Sequence, residues 1–305
     1  MPNIQPKHWL MLVFLGVIWG ASFMFMTVAL GGVGPLVLAA TRITLGAVFL
    51  LIILYGMGKR LPSLRGENGP MIWAFALAMA VFSNAVPFFL LGWGQQVVAS
   101  GFAGVCMAIV PLFILPLAHW LVPGEQMSLR RLIGFMMGTL GVVVLIGPAA
   151  FDSTGKDMEL LAKLGFVGAA GCYAIGSIFT RLCPEVDRLA LSAAVLALAA
   201  VLLIPVALSV EGMPENLDST TLWALIYLGV LPTGIAQIVL VTVIREAGPV
   251  FMSLVNYQVP VWSVVFGAVI LLEPLPPSLL LGMAMILSGV ALSQLGRLKK
   301  LFLRR

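Results

Sequence analysis

Charged residues are scarce in this chain: they make up 10% of its 305 residues, against about 25% in soluble domains. Hydrophobic residues make up 61% of the sequence, and the mean hydropathy is +1.11. A water-soluble fold of this length would need far more charge to cover its surface. The shortage therefore argues against a soluble protein and indicates a chain whose apolar surface faces lipid.

Histidine and cysteine are also rare, which limits the chemistry available. The chain has 2 histidines and 3 cysteines, with no CxxC pair and no cluster spaced to hold a metal ion. We expect no metal centre and no cofactor. The net charge of +5 comes from short basic clusters between apolar runs rather than from one basic face. Nucleic acid is therefore not an expected partner.

The apolar residues form runs that are long enough to cross a bilayer, since about 20 helical residues span the hydrocarbon core. Ten such runs are present, at residues 9–30, 35–55, 71–93, 101–121, 128–147, 163–181, 189–209, 222–244, 250–272 and 276–296. We therefore predict an all-α polytopic membrane protein with ten transmembrane helices, surrounded by membrane lipid.

The basic residues alternate from one loop to the next. Of the 17 Lys and Arg residues, most lie before the first span, in every second loop or in the tail. The remaining loops carry almost no Lys or Arg. Because cytoplasmic loops retain positive charge, we predict a bacterial inner (cytoplasmic) membrane protein with both termini in the cytoplasm.

A pattern of Glu, Gly and Gly-Val recurs at identical spacings in the two halves of the chain. Its first copy is Glu125, Gly134 and Gly141-Val142, and its second is Glu273, Gly282 and Gly289-Val290. We predict a first repeat of five helices over 1–147, a periplasmic linker over 148–162, a second repeat of five helices over 163–296 and a basic cytoplasmic tail over 297–305. Because five is odd, the two repeats cross the membrane in opposite directions, as is typical of secondary transporters.

Several of these residues also resemble a known family. The run Trp19-Gly20-Ala21-Ser22-Phe23, Arg42, Pro111 and the doubled Glu-Gly-Gly-Val ending resemble the EamA family of the drug/metabolite transporter superfamily. The likeness covers about residues 9–147 and 163–296. It implies a ten-helix fold with a central cavity and, in most members, export of metabolites or amino acids. It does not specify the solute.

Arg42 is the one clear ionisable residue inside a predicted span, and all 12 acidic residues lie in loops or at span ends. Ionisable groups at membrane depth are costly and often functional. Arg42 is either a counter-charge for a substrate carboxylate, or a gate, or a structural residue that caps helix carbonyls or extends to the interface. The sequence leaves these readings open, and the lack of buried carboxylates favours a neutral or zwitterionic solute.

Uncharged polar and aromatic residues within the spans are the remaining candidates for a binding cavity. Together with Arg42, the candidates for substrate binding are Trp19, Ser22, Asn84, Tyr173, Gln237, Asn256, Tyr257 and Gln258. Each alone is more often a packing residue, but several lie near prolines that interrupt helices. The candidate hinges are Pro87, Pro111, Pro232 and Pro260, each of which removes a helix hydrogen bond.

These observations favour a secondary transporter that moves a small neutral or zwitterionic metabolite, such as an amino acid, by alternating access. An intramembrane hydrolase is disfavoured because His8 and His119 lie near span ends and no carboxylate lies at depth to assist them. A scramblase or receptor would have no evident use for inverted repeats. The Gly-rich fifth and tenth spans indicate close helix packing, either inside the fold or in a homodimer.

Overall fold

The structure is a computed structural model that describes residues 4–98, 100–123, 128–146, 157–214 and 217–270, together with 281, 282, 284, 285, 287–289, 291 and 292. Within this part of the chain, all regular secondary structure is helical. Seven of the described helices are long and apolar enough to cross a membrane, with mean hydropathies between 1.2 and 2.7. The chain is therefore a polytopic helical membrane protein, as predicted.

The helices follow the predicted spans closely. They are α1 (Pro6–Leu30), α2 (Pro35–Gly56), α3 (Gly69–Gln95), α4 (100–121), α5 (Leu129–Ile146), α6 (Asp157–Leu182), α7 (Arg188–Val210), α8 (Ser219–Ala247) and α9 (249–270). Helix α6 begins at Asp157, inside the segment that we assigned to a linker, and residues 147–156 lie outside the described residues. The described residues between 281 and 292 are helical, but most of the predicted tenth span and the basic tail are not described.

Local sequence sets several of the helix starts. Pro6 and Pro35 stand in the first turns of α1 and α2, where a missing N–H is not needed. Asp187 and Asp218 are the N-caps of α7 and α8, and their carboxylates accept backbone hydrogen bonds at 3.0 and 3.1 Å. These residues satisfy the free amides that every helix leaves at its start.

Helices α2 and α7 pack along each other and are fastened at both ends. At one end the carboxylate of Glu211 accepts the backbone N–H groups of Leu36 at 3.0 Å and Val37 at 2.8 Å, where the dipole of α2 favours a negative charge. At the other end Lys59 donates to Asp187 at 2.6 Å. Burial raises the pKa of Asp187, but hydrogen bonds from Lys59 and from backbone amides outweigh it and hold the pKa below its usual value.

The helices around this pair make matching contacts in the two halves. Helix α1 packs against α8 and α9, and α6 packs in the same way against α3 and α4. Glycine allows close approach in both places. A Cβ added to Gly20 would lie 2.5 Å from the Cβ of Trp262 in α9, and one added to Gly94 would lie 2.5 Å from the ring of Phe166 in α6.

The Gly-rich segments predicted to pack closely do so inside this chain. A Cβ added to Gly289 would lie 2.6 Å from both the carbonyl oxygen of Gly134 and the amide nitrogen of Gly138. The backbones of α5 and of the helical segment around 289 are therefore in contact, which is the usual role of small residues in membrane helices. A homodimer through the same helices stays a prediction.

An ionic cluster joins three helices at the end of the bundle that is predicted to be cytoplasmic. The carboxylate of Glu246, near the end of α8, lies 2.7 Å from Lys7 and 2.8 Å from His8 in α1, and 2.5 Å from Arg188 in α7. The Nδ1 atom of His8 accepts the backbone N–H of Gln5, so its Nε2 atom carries the proton and donates to Glu246. We refer to Glu246, Lys7, His8 and Arg188 as the Glu246 cluster.

Candidate functional site

A cavity of about 90 Å³ lies in the middle of the bundle, and α1, α2, α3, α4, α6, α8 and α9 all contribute to its wall. Its polar and amphipathic lining residues are Trp19, Ser22, Arg42, Ser83, Asn84, Tyr173, Ser177, Thr233, Gln237, Ser253 and Asn256. Aliphatic, methionine and phenylalanine side chains complete the wall. A small concave site of this mixed character is typical of a ligand-binding cavity.

Most of the binding candidates named from sequence meet in this cavity. Trp19, Ser22, Arg42, Asn84, Tyr173, Gln237 and Asn256 line it, and so does Pro232. These residues lie on six different helices, so their meeting is a property of the tertiary fold. Their roles in binding stay predictions.

Tyr257 and Gln258 lie outside the cavity. The hydroxyl of Tyr257 donates to the carbonyl of Phe135 in α5 at 3.3 Å, and the side chain of Gln258 lies against Gly16 in α1. Successive residues of a helix point about 100° apart, so the run Asn256-Tyr257-Gln258 cannot face one space. Only Asn256 of the three contributes to the cavity wall.

Sequence reasoning missed four hydroxyl groups of the lining: Ser83, Ser177, Thr233 and Ser253. Serine and threonine inside a helix commonly bond to their own backbone, so their presence in a span says little about a cavity. Ser253 shows this behaviour, because its hydroxyl donates to the carbonyl of Val250 at 2.9 Å. Thr233 alone could have been suspected from sequence, because it directly follows Pro232, a candidate hinge.

Two short π-helical segments widen the helices that carry these residues. They span Ala80–Ala85 in α3 and Val230–Ile235 in α8, and each begins 11 residues after the first residue of its helix (80 minus 69 and 230 minus 219). In both segments a side chain bonds to the carbonyl five residues earlier: Asn84 to Met79 at 3.4 Å and Thr233 to Leu228 at 2.7 Å. Such segments interrupt regular helices and are frequent at functional sites.

The prolines explain why the helices depart from α geometry at these points. Pro232 has no N–H for the carbonyl of Leu228, and the hydroxyl of Thr233 bonds that carbonyl instead. Pro87 lies just beyond Val86, the first residue after the π segment of α3, and Pro111 lies just beyond Val110, the first residue after a 3-10 turn at Met107–Ile109. Pro260 lies inside helix Val255–Ile270. Whether any of the four acts as a hinge stays a prediction.

Small residues bring α2 and α6 close to the π segments. A Cβ added to Gly46 of α2 would lie 3.0 Å from the carbonyl oxygen of Gly229 and 3.0 Å from the methyl group of Thr233. One added to Gly176 of α6 would overlap the hydroxyl of Ser83. These contacts place Arg42, one turn before Gly46, next to Thr233.

Arg42 is buried, with 2% of its surface exposed, and its guanidinium is held by three weak or neutral partners. Its Nε donates to the hydroxyl of Thr233 at 3.1 Å and one terminal nitrogen to the sulfur of Met26 at 3.4 Å. The ring of Phe88 lies below the guanidinium, with the central carbon 3.9 Å from the ring centroid. Within the described part of the chain no carboxylate forms an ion pair with Arg42.

Trp19 and Tyr173 both place an aromatic ring at the cavity. The indole N–H of Trp19 donates to the carbonyl of Pro232 at 3.0 Å, so it satisfies a carbonyl in the π segment of α8. The ring of Tyr173 lies edge-on to that of Phe88, with centroids 6.5 Å apart. Phe88 therefore contacts both Arg42 and Tyr173, and the rings of Phe88 and Tyr173 form one aromatic part of the wall.

Among the residues that the structure describes, none of those lining the cavity is a histidine, cysteine, aspartate or glutamate. His8 belongs to the Glu246 cluster, and His119 is exposed near the end of α4. Among the described residues, no three His, Cys, Asp or Glu side chains are grouped so as to hold a metal ion. The cavity wall thus offers hydrogen bonds, one fixed positive charge and apolar contacts, which suit binding of a solute.

Comparison with known proteins agrees with this geometry. The model of the EamA-like transporter family matches the chain twice, over residues 7–147 and 160–295. A solved crystal structure superposes on 97% of this chain and 100% of its own with a TM-score of 0.78 at 21% identity, which shows a shared fold.

Several relatives are similar over nearly their whole length. The uncharacterized transporter YoaV of Bacillus subtilis is 26% identical, covering 93% of this chain and 95% of its own. The uncharacterized inner membrane transporter YedA of Escherichia coli K12 is 25% identical, covering 93% and 89%. A probable terminal-alkyne amino-acid exporter of Streptantibioticus cattleyicolor is 28% identical, covering 92% and 91%.

The relatives are named as transporters, not as enzymes, and the double match spans most of the sequence. Together with the membrane helices and the central cavity, this identifies the chain as a member of the EamA-like transporter family.

Proposed function

We propose that the protein is a secondary transporter that moves a small neutral or zwitterionic metabolite, such as an amino acid, through the central cavity by alternating access. The observation that carries this proposal is the cavity itself. It lies within the predicted spans, draws its wall from seven helices and combines one buried cation with amide, hydroxyl and aromatic groups. Polar groups at this depth are costly unless they serve a solute or a packing contact.

The proposed architecture is ten spans in two inverted five-helix repeats, with both termini in the cytoplasm. Three observations support it. The family model matches each half separately, the π segments of α3 and α8 begin at equal distances from their helix starts, and the packing of α1 on α8 and α9 matches that of α6 on α3 and α4. The loop charges support the orientation.

The size and chemistry of the cavity support a small solute. About 90 Å³ of space is well below the volume of a typical drug-binding pocket. None of the lining residues in the described part of the chain is acidic, so an organic cation would meet no counter-charge from them. One relative is named as a probable amino-acid exporter, which supports an amino acid as the solute and export as the direction.

The mechanism that we propose is rocking of helices about the fastened pair α2 and α7. That pair is tied at both ends by Glu211 and Asp187 and would move little. The Glu246 cluster joins α1 and α8 to α7 at the predicted cytoplasmic end. Opening of the cavity to the cytoplasm would require this cluster to separate, while the π segments absorb the bend.

The test is transport in proteoliposomes with a panel of labelled amino acids, sugars, nucleosides and organic cations. We expect movement of at least one small amino acid. The variants Asn84→Ala, Gln237→Ala and Asn256→Leu should lower the rate while the protein remains folded. Gln258→Ala is the matched control, because Gln258 is polar and on α9 but outside the cavity.

Two outcomes contradict the proposal. If no solute of the panel moves, the protein is not a transporter of this class. If solute moves but all three cavity variants retain the wild-type rate, the cavity is not the path. A lipid scramblase would be recognised by movement of labelled lipid without movement of solute.

A further inference from the structure

We propose that Arg42 and Gln237 form a carboxylate subsite in the central cavity, and that a carboxylate is the group by which the solute is recognised. This inference rests on the proposed function and names the part of the solute that the protein selects. It predicts that the amino group of an amino acid contributes little to binding.

The first observation is the unbalanced charge of Arg42. A guanidinium stays protonated in proteins and has five N–H donors. The structure gives it a threonine hydroxyl, a methionine sulfur and an aromatic ring, none of which carries negative charge. An unpaired buried charge is unfavourable. A bound carboxylate would supply both the missing charge and strong acceptors for the unused donors.

The second observation is Gln237. Its side chain is 6% exposed and lines the cavity, and its amide nitrogen is buried with no hydrogen-bond partner in the described structure. Buried donors are rarely left unpaired, so each such group needs an explanation. A solute acceptor in the cavity provides one.

The third observation is that both donors line the same cavity, at helix α8. Thr233, which accepts from Arg42, precedes Gln237 by one helical turn of α8, and residues four apart share one face of a helix. The guanidinium and the unpartnered amide therefore both lie beside the same side of α8. A carboxylate with two oxygens can accept from both at once.

The rest of the wall explains why the carboxylate should dominate. The cavity lining in the described ranges has no aspartate or glutamate, so a substrate ammonium would meet no opposite charge there. The wall also contains Phe23, Met107, Ile114 and other apolar side chains, which suit a hydrocarbon body. The cavity therefore suits a zwitterionic amino acid with an apolar side chain, and the corresponding acid without the amino group should bind in the same way.

The test is thermal unfolding of the purified full-length protein with four compounds that share one apolar body. They are L-phenylalanine, 3-phenylpropanoate, L-phenylalaninamide and 2-phenylethylamine, and a second set is built on leucine. We expect the amino acid and the deaminated acid to stabilise the wild-type protein. The amide and the amine should need concentrations at least about tenfold higher to raise the melting temperature equally, because one hydrogen bond to a charged group changes affinity by about this factor.

Variants assign the effect to the two residues. Arg42→Gln and Gln237→Leu should abolish stabilisation by the acids, whereas Arg42→Lys should retain part of it because the charge is kept. Gln258→Ala should respond like the wild type. If a variant does not fold, the comparison of the four compounds on the wild-type protein still shows whether the cavity recognises a carboxylate.

The subsite is refuted if the amide or the amine stabilises the wild type as well as the acids do, if no acid of either set stabilises it, or if Arg42→Gln responds normally. Its failure differs from failure of the proposed function. Transport without carboxylate selectivity would refute the subsite alone, and carboxylate binding without transport in proteoliposomes would refute the transporter alone.

Discussion

Thr233 is the residue whose substitution tests most directly how the π segment of α8 holds Arg42. Its hydroxyl accepts from the Nε of Arg42 at 3.1 Å and donates to the carbonyl of Leu228 at 2.7 Å. Thr233→Val keeps the shape of the side chain and removes both bonds. Thr233→Ser keeps both bonds and removes only a methyl group, so it is the matched control.

The expected cost follows from these two bonds. A hydrogen bond to a charged group contributes about 1.5–3 kcal/mol and a neutral one about 0.5–1.5 kcal/mol, although hydrogen bonds between membrane helices average only about 0.6 kcal/mol. We expect Thr233→Val to lower the free energy of unfolding by about 2 kcal/mol. Because Arg42 also loses its fixed orientation, the KM for a carboxylate solute should rise about tenfold.

Unfolding in sodium dodecyl sulfate titrations measures the first effect, and initial rates in proteoliposomes measure the second. The serine variant should remain close to wild type in both. Equal stability and equal KM for the valine and serine variants would show that the Thr233 hydroxyl does not position Arg42, and the account of this end of the cavity would be wrong.

Three further predictions concern packing and charge. Gly20→Ala should destabilise the protein by about 1–3 kcal/mol through overpacking, because the added Cβ would lie 2.5 Å from the Cβ of Trp262. Gly171→Ala, where an added Cβ meets no atom within 4 Å, should instead stabilise the protein by up to about 1 kcal/mol. Equal unfolding curves for the two variants would refute this. Glu246→Gln should lower the free energy of unfolding by about 1–3 kcal/mol, because three cationic or donor groups lose their shared carboxylate. Unchanged stability in a sodium dodecyl sulfate titration would show that the Glu246 cluster does not stabilise the fold. Asp187, whose pKa is held below its usual value, should stabilise the fold above about pH 4 and lose that effect as the pH falls further. Solvent screening limits the change in the free energy of unfolding to about 0.5 kcal/mol. Unfolding curves between about pH 3 and 6 should show this pH dependence in the wild type and not in Asp187→Asn.

The membrane helices were predictable because lipid imposes a simple rule. A span needs about 20 apolar residues, and the described helices match the runs read from sequence to within a few residues. The early start of α6 at Asp157 was missed because its first turn is polar. Glu159 and Lys163 form an ion pair one turn apart there, which supports a helix that hydropathy does not reveal.

The cavity was predictable in part. Asn84, Gln237 and Asn256 line it because amides at membrane depth must turn away from lipid. The sequence could not show that Tyr257 instead reaches α5, since that depends on the rotation of α9. Nor could it show that Thr233 holds Arg42, because a threonine in a helix usually bonds its own backbone and here does both.

The π segments lay beyond sequence reasoning, although the prolines marked their neighbourhood. A proline predicts a missing hydrogen bond but not how the helix compensates. In α8 the hydroxyl of Thr233 bonds the carbonyl of Leu228, which Pro232 leaves without a donor. In α3 the amide of Asn84 bonds the carbonyl of Met79, which is not the carbonyl that Pro87 leaves free. The solution in α8 depends on the side chain that follows the proline, which a proline alone does not specify.

The central claim, that a solute crosses the membrane through this cavity, is tested most directly by counterflow of a labelled amino acid in proteoliposomes carrying Ser177→Phe or Gly171→Phe. Both substitutions place a phenylalanine on α6. Ser177 lies in the cavity wall, whereas a Cβ added at Gly171 would have no atom within 4 Å. We predict that Ser177→Phe abolishes counterflow and that Gly171→Phe retains it. Full counterflow in folded Ser177→Phe protein would contradict the claim.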